Sequence, residues 1–153
     1  ISAQELYRNV VGISRQLEAW GSRKGDRVAI LSENRPEWST VDFACLLLGI
    51  VVVPIYSTLT DEQTAYLLND SGTRVIFVST EKQLQKVLAI KNQTTVECVV
   101  VMDAVETAHA FHVHAIMNAG PTERDSQFDC SAQTITAGDL ATIIYTSGTT
   151  GTP

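Results

Sequence analysis

The residues of this chain best suited to chemistry stand in one run, Thr146-Ser147-Gly148-Thr149-Thr150-Gly151-Thr152, directly after the apolar stretch Leu140-Ala141-Thr142-Ile143-Ile144-Tyr145. Gly148 and Gly151 carry no side chain, so the backbone there can approach an anion closely and adopt positive φ. Successive amides in such a turn converge as an anion-binding nest. The hydroxyls of Ser147, Thr149, Thr150 and Thr152 add donors that suit phosphate oxygens. The expected chemistry is phosphate binding at the carboxyl end of a predicted central strand, the end at which open α/β sheets hold their ligands. The run is not a Walker A loop: only Thr149 and Thr150 separate the two glycines, and no lysine follows Gly151.

Other reactive-looking residues read more simply. His109, His112 and His114 form His-x-x-His-x-His; on a helix only the first two share a face, and no cysteine lies close by, so an exposed helix or mobile loop is expected rather than a metal centre. Asp26 and Arg27 read as a solvated turn beside a strand, and Asp61-Glu62 as acidic residues favouring a helix amino terminus. Trp20, Trp38 and Tyr7 fall on apolar helix stripes, where packing is the expected role. Cys45, Cys98 and Cys130 lack CxxC spacing and sit in or beside apolar sequence, the pattern of buried free thiols in a reducing compartment. No catalytic residue and no metal ligand is assigned on this stretch.

The elements that must position the loop alternate. Ala3, Leu6, Val10, Ile13, Leu17 and Trp20 make one helical stripe, which Gly21 can stop. Arg27-Val28-Ala29-Ile30-Leu31 reads as a buried strand. Asn34 is a plausible cap for a helix that has Pro36 in its first turn and ends at Gly49. Val51 to Ile55 forms the second strand, with Pro54 near its end. Thr60-Asp61-Glu62-Gln63 and Thr80-Glu81-Lys82-Gln83 both fit capping boxes, opening helices that run to Ser71 and about Lys91. Between and after them lie the strands Arg74 to Val78 and Cys98 to Met102. Ala104 to Asn118 is predicted helical, Gly120 to Asp125 is loop chemistry, and Asp139 to Tyr145 is predicted as the fifth strand. The fold class is α/β: a mostly parallel sheet of about five strands with helices on both faces.

Composition limits the function. At 153 residues the chain can build one core, and its 44% apolar content is that of a soluble globular protein. Only 18% is charged, which hints at surface meant to be covered. A net charge of −6 with no basic block argues against nucleic acid. Phe43 to Ile55 is too short, and too broken by Gly49 and Pro54, to span a bilayer. With no signal peptide visible at Ile1, a cytoplasmic location is expected.

Tyr145-Thr146-Ser147-Gly148-Thr149-Thr150-Gly151-Thr152-Pro153 closely resembles the phosphate loop of the adenylate-forming (AMP-dependent synthetase and ligase) superfamily, in which a lysine follows the proline. Lys24-Gly25-Asp26-Arg27-Val28-Ala29-Ile30 resembles the first strand of acyl-CoA synthetases. Asn34-Arg35-Pro36-Glu37-Trp38 and Val53-Pro54-Ile55-Tyr56-Ser57-Thr58-Leu59 resemble the long-chain fatty acyl branch, which commonly has proline where Ser57 stands. The resemblance covers roughly Gln4 to Met102 and Asp139 to Pro153. It implies that residues 1–153 are the amino-terminal part of an adenylation domain, with the rest of that domain and a carboxyl-terminal lid lying outside. It implies an ATP-dependent ligase that takes a fatty acid or another carboxylate, ATP with Mg²⁺, and coenzyme A, with Thr146 to Thr152 holding the nucleotide phosphates. The isolated piece is then expected to be inactive and to self-associate through surface normally covered, while peripheral membrane contact stays open. Rival readings are an aryl or short-chain acid ligase, a carrier-protein loading domain, a non-catalytic phosphate-binding module, or an interaction scaffold.

Overall fold

A computed structural model of the chain describes residues 1–146. Five parallel strands, β1 (Arg27–Leu31), β2 (Val51–Ile55), β3 (Val75–Val78), β4 (Cys98–Val101) and β5 (Phe111–His112), lie in the order β2-β1-β3-β4-β5. Six helices accompany them: α1 (Ala3–Ala19), α2 (Pro36–Leu47), α3 (Asp61–Ser71), α4 (Glu81–Ile90), α5 (Val113–Asn118) and α6 (Ser126–Ala132). The expected class and the helices on both faces are borne out. Strand alternation sends Val28 and Ile30 into one core with α1, α2, α5 and α6, and Ala29 and Leu31 into the other with α3 and α4. Covered on both faces, the inner strands read as unbroken apolar runs, and Val28 to Leu31 and Ile76 to Val78 are completely buried.

Helix ends follow local chemistry. Ser2 and Thr60 each complete a reciprocal capping box, with Glu5 and Gln63. Thr80 accepts from the Gln83 amide, but the Gln83 side chain leaves the expected box and donates to the Ser57 carbonyl at 3.1 Å. Asn34 is not the cap of α2: Arg35 takes that position with no side-chain cap bond, because a guanidinium carries donors only and cannot accept from the first helix amides.

Two expectations are corrected. The fifth strand is Phe111–His112, inside the segment predicted helical, of which only Val113–Asn118 is helix. Asp139 to Tyr145 lies instead at the opposite edge, alongside β2, joined by a single parallel bridge, Val52 with Thr142. There the Val52 amide donates to the Ala141 carbonyl and the Ile143 amide to the Val52 carbonyl, both at 3.0 Å. An edge segment has a neighbour on one side only, which explains a ladder this short. Cys45 is buried as expected, whereas Cys98 is half-buried and Cys130 exposed.

Candidate functional site

The edge segment is held at both ends. Lys24 Nζ donates to Asp139 Oδ2 at 2.7 Å where it enters, and the Tyr145 hydroxyl donates to Asp70 Oδ2 at 2.6 Å where it leaves. Burial, then the Asp70 carboxylate, push the Tyr145 phenol up to about 12, so it stays a neutral donor. Because the segment runs parallel to β2, it delivers Thr146, exposed, to the carboxyl rim of the sheet. It does so from the edge, not from the predicted central position. Ser147, Gly148, Thr149, Thr150, Gly151 and Thr152 lie outside the described residues.

At Ile144, two residues before Thr146, the rim holds a cavity of about 330 Å³. Trp38, Ile55, Tyr56 and Ile144 give it apolar walls, and Glu33, Asn34 and Ser57 give it polar ones. Trp38, expected only in packing, therefore also faces this cavity. Glu33 titrates below the usual carboxylate range, held first by the neighbouring Ser79 hydroxyl and then by its own backbone amide, against burial. The Ser79 contact is electrostatic rather than a well-formed hydrogen bond, since this buried hydroxyl meets no partner at bonding geometry. An anionic Glu33 repels phosphate and favours hydrogen-bond donors.

The cations of this rim are already engaged. Arg35 donates through Nε to Glu37 Oε2 at 2.9 Å, and through Nη1 to Asp103 Oδ1 at 2.9 Å and the Ser79 carbonyl at 3.3 Å. Lys86 Nζ donates to the Ser57 and Leu59 carbonyls. The described rim thus supplies walls and shape, and polyphosphate charge is left to amides and hydroxyls of the kind found from Thr146 onward. Arg35 was legible only as part of a short string; nothing in spacing announces a side chain reaching the ends of β3 and β4.

The remaining candidates keep structural roles. The Asp26 carboxylate accepts from the Arg23 amide, and Arg27 donates to the Ser71 and Gly72 carbonyls. Tyr7 accepts from the Asp125 amide, donates to Asp129, and packs edge-on against Phe128. His112 closes β5, while His114 on α5 places Nε2 3.3 Å from Glu37 Oε1.

The comparisons with known proteins meet at this geometry. A family model described as "AMP-binding enzyme" matches residues 1–153. The chain belongs to the AMP-binding enzyme family. A relative within that family, the long-chain-fatty-acid–CoA ligase FadD15 of Mycobacterium bovis, is 32% identical over all of this chain and 25% of its own length. The fatty acid–[acyl-carrier-protein] ligase ScoC of Streptomyces coeruleorubidus is 29% identical over all of this chain and 27% of its own. Among solved structures, the anthranilate CoA ligase AuaEII in complex with anthranoyl-AMP superposes with a TM-score of 0.84 at 24% identity, over 95% of this chain and 27% of that one. That likeness fixes the fold. The chain spans about a quarter of the length of these AMP-binding relatives. Among the described residues no helix is long and apolar enough to cross a membrane.

Glu37 supplies a pH test of this rim. Burial alone would raise its pKa, but the Arg35 hydrogen bond and charge outweigh it and hold Glu37 low. A carboxylate lowered in the folded state contributes stability above its unfolded pKa of about 4.3, and loses it as pH falls through the folded value. Thermal melts from pH 7 to pH 3 should show a smaller acid loss in R35Q than in wild type, because without Arg35 only the Glu37 backbone amide and the exposed His114 still oppose burial at Glu37. Parallel curves for the two proteins would contradict this account.

Proposed function

We propose that residues 1–153 form the amino-terminal quarter of an ATP-dependent acyl-CoA synthetase that activates a fatty acid. The observation that carries this reading is a hydroxyl- and glycine-rich run in a chain of the AMP-binding family, whose first residue, Thr146, is exposed at the carboxyl rim of the sheet. Its similarity to a long-chain-fatty-acid–CoA ligase supports the substrate class.

The chemistry needs such a loop. A free carboxylate is a poor acyl donor because its leaving oxide is too basic. One carboxylate oxygen attacks the α-phosphorus of ATP, the α–β bridging bond breaks, and pyrophosphate leaves. The acyl-adenylate then meets the thiol of coenzyme A, sulfur bonds to the acyl carbon, and AMP departs, yielding a thioester. In the first step Thr146 to Thr152 hold the β- and γ-phosphates in line and balance the charge that gathers on pyrophosphate; Mg²⁺ enters as part of the nucleotide substrate. Glu33 and the apolar walls at Ile144 turn phosphate away from the neighbouring cavity and towards the loop.

The test is fatty-acid-dependent ATP–pyrophosphate exchange in the full-length parent. Exchange with long-chain fatty acids is expected; exchange only with aryl or short-chain acids, or none, overturns the substrate assignment. The similarity to a carrier-protein ligase supports one rival acceptor. Offering coenzyme A and a phosphopantetheine-bearing carrier in parallel separates the two, with thioester on coenzyme A the expected product.

The same reading makes a prediction for the 153-residue chain alone. Phe43 and Leu47 on α2 and Leu140 and Ile144 on the edge segment are exposed. Strand alternation puts Leu140 and Ile144 on one face of the edge, and Ile144 shares a cavity with Trp38 of α2. Exposed apolar surface of this kind marks contact with further chain, so the isolated piece should self-associate. Light scattering should report oligomers for wild type and fewer for L140E/I144E; strictly monomeric wild type at high concentration contradicts the prediction.

A further inference from the structure

We propose that Arg35 is a positioning residue that clamps the carboxyl rim and so fixes the wall of the cavity at Ile144. In the strand order β2-β1-β3-β4-β5 the chain leaves β1 in one direction along the sheet to reach β2, and leaves β3 in the other direction to reach β4. The carboxyl ends of β1 and β3 therefore bound the switch-point crevice, where an open parallel sheet offers most room. Arg35 reaches across that crevice from the loop after β1. Its guanidinium takes the Ser79 carbonyl at the end of β3, Asp103 after β4, and Glu37 in the first turn of α2.

Three acceptors on three different elements suit the planar fork of a guanidinium; a lysine ammonium offers a compact point charge in its place. The Arg35 and Glu37 side chains retain only 23% and 15% exposure, so the pair is screened much less than an open surface bridge. Glu37 in turn meets His114 Nε2, which ties α5 to the same cluster. No local side-chain cap holds the start of α2, so these contacts are what tie the extended Arg35 to the rim. Glu33 and Asn34, immediately before Arg35, form the polar wall opposite Ile144. The clamp therefore acts through Glu33 and Asn34 on whatever binds beside the loop that begins at Thr146.

This inference rests on the proposed synthetase reading where it predicts kinetics, and on geometry alone where it predicts motion. In the full-length parent, R35Q should raise the KM for ATP in acid-dependent pyrophosphate exchange about tenfold, with kcat within about threefold of wild type. R35K, which keeps the charge and loses the fork, should fall between. Measured well below the melting temperature of each variant, an unchanged KM accompanied only by a lowered Tm overturns the positioning role, as does an R35K indistinguishable from wild type. Hydrogen exchange gives the readout that needs no activity. The amides of Ser79, Met102 and Asp103, which donate to the Leu31, Val78 and Ser79 carbonyls, should exchange at least tenfold faster in R35Q, while those of α6 stay unchanged. Unchanged exchange at the rim overturns the clamp. A wild-type parent without exchange activity, but with rim amides loosened in R35Q, overturns the synthetase reading and leaves the clamp standing.

Discussion

Replacing Gly148 with valine and Thr150 with alanine in the full-length parent is expected to cut acyl-adenylate formation by about 10²–10³-fold, the usual consequence of removing fixed donors from a developing charge. Valine at Gly148 blocks close approach of the backbone and restricts φ, which disturbs several amides together; alanine at Thr150 removes one hydroxyl. Both losses fall on the step in which pyrophosphate leaves. Thioester formation from preformed acyl-adenylate should fall far less, because no polyphosphate takes part in it. Single-turnover measurements of the two half-reactions separate these effects. Equal losses in both steps would mean that the loop acts on the whole domain rather than on phosphates, and full retention of adenylate formation would remove the nucleotide-binding role altogether.

Much of the fold was legible because parallel strands buried on both faces leave continuous apolar runs. Val28 to Leu31, Val51 to Val53 and Val75 to Val78 allow few other arrangements. Helix ends were legible where a hydroxyl and a carboxamide or carboxylate three residues on cap each other, as at Thr60 and Gln63. The misread segments are those in which tertiary partners decide. Phe111–His112 is two residues long and becomes a strand only through pairing with Val100 and Val101. Asp139 to Tyr145 has the composition of a central strand but sits at an edge, and no local pattern states which neighbour a strand will choose. At the site, the loop itself could be read from residue types. The Arg35 junction could not, because two of its three acceptors lie 44 and 68 positions away in sequence.

Two glycines were equally silent, and they carry the largest expected effect on stability. Gly12 lies within α1 where that helix crosses α5. A Cβ added there would sit 2.6 Å from the Ile116 carbonyl oxygen and 3.1 Å from the Gly120 nitrogen. At Gly120 an added Cβ would collide with the Arg8 carbonyl oxygen. The obstacles are backbone atoms, which cannot turn aside as a flexible side chain can. Relief requires α1 to move outward, and α1 carries Val10, Val11, Ile13 and Leu17, all in the core shared with β1 and α2. Overpacking typically costs about 1–3 kcal/mol, and backbone obstacles place G12V at the upper end or beyond. A loss of about 3 kcal/mol corresponds to a fall in Tm of about 6–12 °C in a domain of this size. Gly21 is the control: it has φ 81° and nothing within 4 Å of an added Cβ, so G21A should cost only the left-handed backbone penalty of about 1–2 kcal/mol. Urea melts of the three proteins should therefore rank wild type above G21A above G12V. A G12V variant melting with wild type would mean that α1 and α5 do not approach as closely as the contact at Gly12 requires.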